Sequence, residues 1–451
     1  MRAGGSPVTS RESATDPGGS LRRIVNRVSC RPRRALIALA VACAAGGVAS
    51  AAGAATNPVA ATIEAFGKKH PTISARVDRL TPQGRVTVAS WRPDTALAPA
   101  STMKIVTAAS ALLTVGPDFR FTTRLEAAPD SLSATGRVTG PAYLIGAGDP
   151  MLATRAYSRS ALDGLGTPIE DLARNVRESG IRSITGGVVV DETLFDRQRT
   201  GPLWKSSYRY ECPPLSGIAT NQNRSARGSN VGSPAIAAGQ RLVAALRAAG
   251  VQVSGSIRVG RDVPGGDVLG QVRSQPLTRM VDFMNIHSDN FTAETLTKSI
   301  GAYGAGSGTT AAGTRAAESV LRARGIMGTS DDVVDGSGLS HSNRLSASTL
   351  VGVLAAAHSE RAWGDALIRS MPRGGQGTLI RRLKGPAVRN RVQAKTGYIN
   401  GVASLSGVVT SRSGVPYAFA FLMNTPNISG AQKAMDRAVT LLATGRADAA
   451  R

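Results

Sequence analysis

Lysine is scarce in this chain, with eight among 54 basic residues, so a serine paired to a lysine stands out. Ser101-Thr102-Met103-Lys104 is the only place where Ser lies three residues before Lys. The stretch 99–113 reads as a helix, with Pro99 near its start and Ala108, Ala109, Ala111 and Leu112 filling later turns. Residues i and i+3 share a helix face, which can set Ser101 Oγ beside Lys104 Nζ. The amine can then take the hydroxyl proton, provided burial or nearby positive charge holds it neutral. Chance gives on the order of 0.7 such matches in a chain of this composition, so the pair alone also reads as an unremarkable helix surface. Lys395-Thr396-Gly397 is rarer, expected roughly 0.07 times. It lies in the strand-like stretch 392–402, where glycine admits close backbone approach. An edge strand carrying a cation, a hydroxyl and free N–H groups can hold a substrate carboxylate and extend a peptide by β-pairing. The bland alternative is a hairpin strand with a surface lysine. Ser288-Asp289-Asn290, just before the helix-like 291–300, supplies a hydroxyl and an amide suited to relaying a proton and holding a substrate amide. Alone, such a triplet more often caps a helix.

The elements that must position these groups alternate between helical and strand patterns. Thr167-Pro168-Ile169-Glu170 predicts a helix start, with Thr167 as N-cap, Pro168 at the first turn and Glu170 completing a capping box. Gly180 ends that helix and the β-branched run 188–190 follows. A similar helix-Gly-strand unit recurs at 242–246, Gly250 and 251–259 with a one-residue offset, which suggests a subdomain. Beyond it come an Ala-rich helix at 311–324, a loop at Asp335-Gly336-Ser337-Gly338, and a helix at 348–357. Strands at 402–409 and 417–423 flank a turn at Ser413-Gly414, and a last helix spans about 431–443. Alternation with hairpin-like strand pairs near the end indicates α+β rather than a doubly wound sheet.

The 451 residues are 42% hydrophobic and 19% charged, which excludes intrinsic disorder. Net charge is +24, and the basic N-terminal 34 residues account for only +6 of it. The remaining excess favours an anionic partner such as a wall polymer, a membrane surface or nucleic acid, or is merely an arginine-rich composition. Residues 1–55 read as a leader: six arginines between 22 and 34, an apolar stretch at 35–45, and A-x-A sites at Ala49-Ser50-Ala51 and Ala52-Gly53-Ala54. Gly46, Gly47, Ser50 and Gly53 weaken the second half of the apolar run, favouring a cleaved signal over an anchor. Ala40-Val41-Ala42 is a poor lipid-attachment context for Cys43. Cys30 and Cys43 lie in the leader, so only Cys212 remains and no intramolecular disulfide can form. The absence of C-x-x-C, Cys/His clusters and His-Glu-x-x-His argues against a zinc site.

Taken together and in this order, the three motifs resemble those of the penicillin-recognising serine transferases, S-x-x-K, S-D-N and K-T-G. The resemblance is closer to the D-alanyl-D-alanine carboxypeptidase/endopeptidases of the class C low-molecular-mass penicillin-binding proteins (serine peptidase family S13), and stretches 144–150, 285–294, 335–340 and 374–379 share it. It runs from about residue 57 to the C-terminus. It implies an antiparallel sheet flanked by helices, the β-lactamase-like transpeptidase fold. The peptidase domain would comprise 56–125 and 270–451, with inserted domains at 126–269 filling the 187 residues between Ser101 and Ser288. It further implies Ser101 as the acylated nucleophile, Lys104 as general base, and Ser288 with Asn290 as proton relay and substrate-amide contact. Lys395, Thr396, Gly397 and Tyr398 would bind substrate, the N–H groups of Ser101 and Tyr398 forming the oxyanion hole. No cofactor, metal or nucleic acid is implied. The partners would be peptidoglycan stem peptides, β-lactams as covalent inhibitors, and anionic cell-wall polymers, at the cell wall or the outer face of a bacterial membrane. Two positions depart from the family pattern: Tyr398 replaces a small hydroxyl residue, and His341, with Arg344 after it, replaces an arginine. A β-lactamase and a non-catalytic wall-binding protein are the rival readings. The absence of a G-x-S-x-G elbow makes His287 a structural residue. Asp149 reads as a turn residue, with a loop acid facing the cleft as the alternative. Phe195, Trp204, Tyr208 and Tyr210 either wall a peptide subsite or form a local core.

Overall fold

The computed structural model describes residues 57–448. The expected leader and its cleavage sites lie outside them. A five-stranded antiparallel sheet runs in the order Val392–Ile399, Val402–Thr410, Pro416–Asn424, Ile73–Thr81, Gly84–Trp91. The C-terminal meander thus joins an N-terminal hairpin, with Ile73 opposite Met423 and Val77 opposite Phe419. Pro416–Asn424 is its central strand, and the period of two sorts its side chains between two cores. Ala418, Ala420 and Leu422 face a core that includes the helices Met103–Val115 and Ala347–Ser359. Tyr417, Phe419, Phe421 and Met423 face the terminal helices Pro58–Gly67 and Ile428–Ala443.

Met103–Val115 is buried at every position from Met103 to Leu112, the polar Lys104, Thr107 and Ser110 included. The expected helix over 99–113 differs at its start: Ala100–Thr102 is a 3-10 turn, so Ser101 lies one turn before the α-helix proper. The last helix begins at Ile428, three residues earlier than the pattern gives, because Asn427 Oδ1 caps it by accepting from Gly430 N–H.

A second five-stranded sheet, in the order Ile257–Val259, Val188–Asp191, Ala142–Ile145, Thr122–Ala127, Asp267–Arg273, occupies the middle of the chain. Thr122–Ala127 and Asp267–Arg273 are antiparallel neighbours, so the chain enters and leaves this region at one place. The two helix-Gly-strand units lie side by side. Ser183–Ile184 pairs in parallel with Gln252–Val253, and Val188–Asp191 with Ile257–Val259. Their helices Ile169–Glu178 and Pro234–Ala248 share one core through Leu172, Val176, Leu242 and Leu246. Gly180 and Gly250 take φ values of +93° and +84°, the left-handed turn that ends each helix. The capping box at 167–170 does not form. Thr167 and Pro168 pair with Leu152 and Ala153 as a short strand, the Thr167 hydroxyl donates to Asp149, and Glu170 accepts from Arg155 N–H. Tertiary partners outcompete the local cap.

Candidate active site

Ser101 sits where three segments meet. Ala100, just before it, takes φ +47°, a left-handed conformation that costs a non-glycine residue about 1–3 kcal/mol. The neighbours hold it there. Pro99 O accepts from Thr102 Oγ1 at 2.7 Å and from Ser404 Oγ at 2.6 Å. Across the cleft, a Cβ added to Gly338 would stand 1.9 Å from Ala100 O, so only glycine lets that loop pass. A Cβ at Gly397 would stand 2.9 Å from Ser101 N, which places the Lys-Thr-Gly strand against the serine's own amide.

Lys104 is fully buried, and its Nζ donates to Ser101 Oγ at 3.0 Å, Asn290 Oδ1 at 2.7 Å and Ser337 O at 2.7 Å. All three donor positions of an ammonium are thereby engaged. Burial pulls the amine down to about 8, although Asp289, Glu294 and Asp335 pull the other way. Lys395 is also fully buried and donates to Ser288 Oγ at 2.9 Å and Thr396 O at 2.8 Å. Burial, and then the charge of Lys104, holds it well below the ordinary lysine range. Thr396 Oγ1 donates to Thr378 Oγ1 at 2.8 Å. Two buried lysines thus link Ser101, Ser288, Asn290 and Thr396, Gly397 approaches the Ser101 amide, and Tyr398 follows it on the same strand.

Ser288-Asp289-Asn290 is the link between the helices Leu277–His287 and Asn290–Ala305, and its three residues divide the work. Ser288 takes φ +57° and ends the first helix; Asp289 caps the second by accepting from Thr292 N–H. That geometry leaves the Ser288 hydroxyl and the Asn290 amide free to face the two lysines. The cap and the site are one structure.

Several participants carry no signal in the motifs. Ser337 O touches Lys104, and its loop is strung on Asp335, which accepts from Gly338 N, Ser340 N, Asn343 Nδ2 and Trp204 Nε1. Glu294 Oε1 accepts from Ser337 N–H at 2.8 Å, while burial and then Asp335 push this carboxyl up to about 8. Glu294 lies four residues after Asn290, so helical spacing alone puts it on the same face. Thr378, the partner of Thr396, lies in the 374–379 stretch that shares the family resemblance, whereas Glu211 O, which accepts from Asn290 Nδ2 at 3.1 Å, could be found only in the fold.

The alternatives left open by the sequence separate as follows. Asp149 is a buried turn residue, accepting from Met151 N–H and Thr167 Oγ1, with burial lifting it to about 6. His287 pairs with Asp163 at 2.6 Å on the surface. Trp204 and Tyr208 pack on Cys212, Leu215, Phe291 and Leu339, a local core, but one that also leans on Ala100 and carries the hydrogen bond to Asp335. Phe195 packs apart from them, near Gly148 and the Lys298 ammonium. Tyr210 is 67% exposed. His341 stacks on Tyr208 and shares a 3.1 Å hydrogen bond with its hydroxyl, whereas Arg344 folds back onto His341 O. Tyr398 is 63% exposed, on the same strand face as Thr396.

A family model described as D-Ala-D-Ala carboxypeptidase 3 (S13) matches residues 82–227 and 215–444. The chain belongs to this family. Among S13 relatives, a carboxypeptidase of Mycobacterium tuberculosis is 31% identical over 417 residues, 88% of this chain and 87% of that protein. The D-alanyl-D-alanine carboxypeptidase of Actinomadura sp. (strain R39) is 30% identical over 411 residues, 73% of each chain. Penicillin-binding protein 4 of Haemophilus influenzae superposes with a TM-score of 0.71 at 21% identity, over 83% of this chain and 98% of that one. The fold is therefore the α+β penicillin-binding protein fold of the S13 family.

Proposed function

We propose that this S13 chain is an exported serine D,D-peptidase that trims peptidoglycan peptides ending in D-Ala-D-Ala, and their cross-bridges, through an acyl-Ser101 intermediate. The observation that carries the reading is the 3.0 Å contact between Ser101 Oγ and a fully buried Lys104 whose pKa lies near 8. Neutral Lys104 takes the Ser101 proton as Oγ attacks the carbonyl carbon. Ser288, held by Lys395, passes a proton to the departing amine, and Asn290 orients the substrate amide. Lys395 and Thr396 bind the terminal carboxylate. The N–H groups of Ser101 and Tyr398 stabilise the oxyanion, about 3–4 kcal/mol per donor. Water then resolves the ester. Residues 56–125 and 270–451 carry this chemistry and 126–269 is inserted; Trp204, bonded to Asp335, and Glu211, bonded to Asn290, are how the insertion supports it.

A peptidase first, rather than a β-lactamase, is favoured by the placement of nearby acids. Efficient penicillin turnover needs a deacylation base. Of the buried acids beside Lys104, Asp335 is committed to the 335–340 loop, and Glu294 accepts from Ser337 N–H through Oε1 while burial, raising its carboxyl to about 8, keeps it largely protonated and a poor base near neutral pH. Export rests on the leader at 1–55, with the mature protein beginning near Ala52 or Ala55 and retained at the wall or outer membrane face by anionic polymers. Among the described residues no helix is long and apolar enough to cross a membrane. A fluorescent penicillin should label the protein, Ser101→Ala should abolish the adduct, and a D-Ala-D-Ala peptide should release D-Ala. Rapid penicillin hydrolysis without D-Ala release would instead make it a β-lactamase, and labelling that persists in the alanine variant would remove Ser101 as nucleophile.

A further inference from the structure

Between Asp365 and Asp436 the chain carries ten Lys and Arg residues and no acid. Some of these cations are engaged: Lys395 in the site, Arg382 with Asp436, Arg391 on Ser411 O. Three that make no ion pair or side-chain hydrogen bond among the described residues, Arg373, Lys384 and Arg389, line one open cavity of about 520 Å³ together with Gln376, Ile380 and Asn390. Two loops form its walls. They meet at Gly374, where a Cβ would stand 2.2 Å from Leu383 O and 2.8 Å from Arg389 Cα. No acid lines it.

The cavity is anchored to the site at three points. Arg373 bridges to Gln393 on the outer edge of the Lys-Thr-Gly strand, Thr378 holds the Thr396 hydroxyl, and a Cβ at Gly377 would stand 2.6 Å from Ile286 O, two residues before Ser288. Order along the strand fixes its position relative to a substrate. Tyr398 comes first, then Thr396 and Lys395, then Gln393 with Arg373. At about 3.3 Å per residue, Gln393 lies roughly 10 Å past Thr396, about three extended peptide residues. On the D,D-peptidase reading, the oxyanion forms at Tyr398 and the terminal carboxylate sits at Thr396. Continuing in that direction follows the group that leaves.

We infer that this cavity is the subsite for the leaving strand of a cross-linked stem peptide, taking carboxylates that a single departing D-Ala does not possess. The inference rests on the D,D-peptidase reading and gives it a substrate preference. The bond broken is the amide joining the acyl D-Ala to the leaving strand, whose amine takes the proton that Ser101 loses. Arg373, Lys384 and Arg389 make no contact with the scissile amide and act only on the strand beyond it.

The test compares the full chain with a double variant, Lys384→Gln and Arg389→Gln, on three substrates: a monomeric D-Ala-D-Ala stem peptide, a cross-linked stem dimer with free carboxylates on its leaving strand, and that dimer with those carboxylates amidated. The variant should cut the acidic dimer about tenfold less efficiently in kcat/KM, the sum of the two partly exposed charge pairs it removes. Its D-Ala release and penicillin labelling should stay within twofold of the parent. The unmutated protein should cut the amidated dimer as slowly as the variant cuts the acidic one, a comparison that needs no variant to fold. Equal loss on monomer and dimer, or indifference to amidation, overturns the subsite. Release of D-Ala with the dimer left intact overturns it while the peptidase reading stands; penicillin labelling with neither peptide cut overturns both.

Discussion

At the scale of single residues, the proposed acyl transfer turns on whether Lys104 can be neutral at working pH. An ordinary lysine is almost wholly charged at pH 7; burial lowers this one to about 8, so a useful fraction is free base. A lowered amine pKa makes the reactive fraction grow as pH rises. The second-order rate of penicillin labelling should therefore climb about tenfold per unit below pH 8 and level off above it, and a profile flat between pH 6 and 9 would remove Lys104 as the base. Lys104→Ala should fold and label about 10²–10⁴-fold more slowly. Glu294 gives a second, opposite test. Lifted to about 8, it is largely neutral at pH 7, where Glu294→Gln mimics it and should label within about threefold of the parent. Near and above pH 8 the native carboxylate ionises and pulls Lys104 upward, which glutamine cannot do. The rising limb should therefore move to lower pH in the variant, and movement to higher pH would show that the anion is needed.

At the scale of elements, the site depends on how closely a strand, a 3-10 turn and a loop approach one another. Gly397 is the tightest point. A methyl group there meets Ser404 Oγ at 2.1 Å, Pro99 O at 2.8 Å and Ser101 N at 2.9 Å, and two of these are backbone atoms that cannot swing aside. Gly397→Ala should keep the sheet, since the Val392–Ile399 pairing spans eight residues, yet push the strand from Ser101. A displacement of about 1 Å can cost about 10² in rate, so labelling should fall by about that factor with little change in the far-ultraviolet circular dichroism spectrum. Labelling that survives the substitution would mean the strand does not form part of the oxyanion site.

For the whole molecule, stability rests on packed cores rather than on crosslinks. Cys212 is buried and free, and burial holds its thiol well above the usual range, so it neither bridges nor reacts readily. Cys30 and Cys43 fall within the leader proposed at residues 1–55. Dithiothreitol should therefore leave the Tm of the processed protein unchanged, and a fall of several degrees would reveal a disulfide. The middle of the chain is tied to the site, because Trp204 and Glu211 reach the loop and helix that hold Lys104 and Asn290.

What the sequence determined by itself is local or compositional. Ser101 and Lys104, three residues apart, needed only a helical turn to meet, and a 3-10 turn served as well as the expected α-helix. The order and rarity of the motifs were enough to place the chain in its family and fold class, and period-two and period-3.6 patterns marked most strands and helices. The capping box at Thr167 failed because Asp149 and Met151, distant in sequence, offered Thr167 better partners. Only the tertiary structure brought Lys395 to Ser288, 107 residues away, and aimed the carbonyls of Ser337 and Glu211 at side chains of the site. It alone decided that both lysines are dry, and hence that one is near 8. A backbone carbonyl has no residue type to read, and burial is a property of everything packed around a group rather than of the group itself.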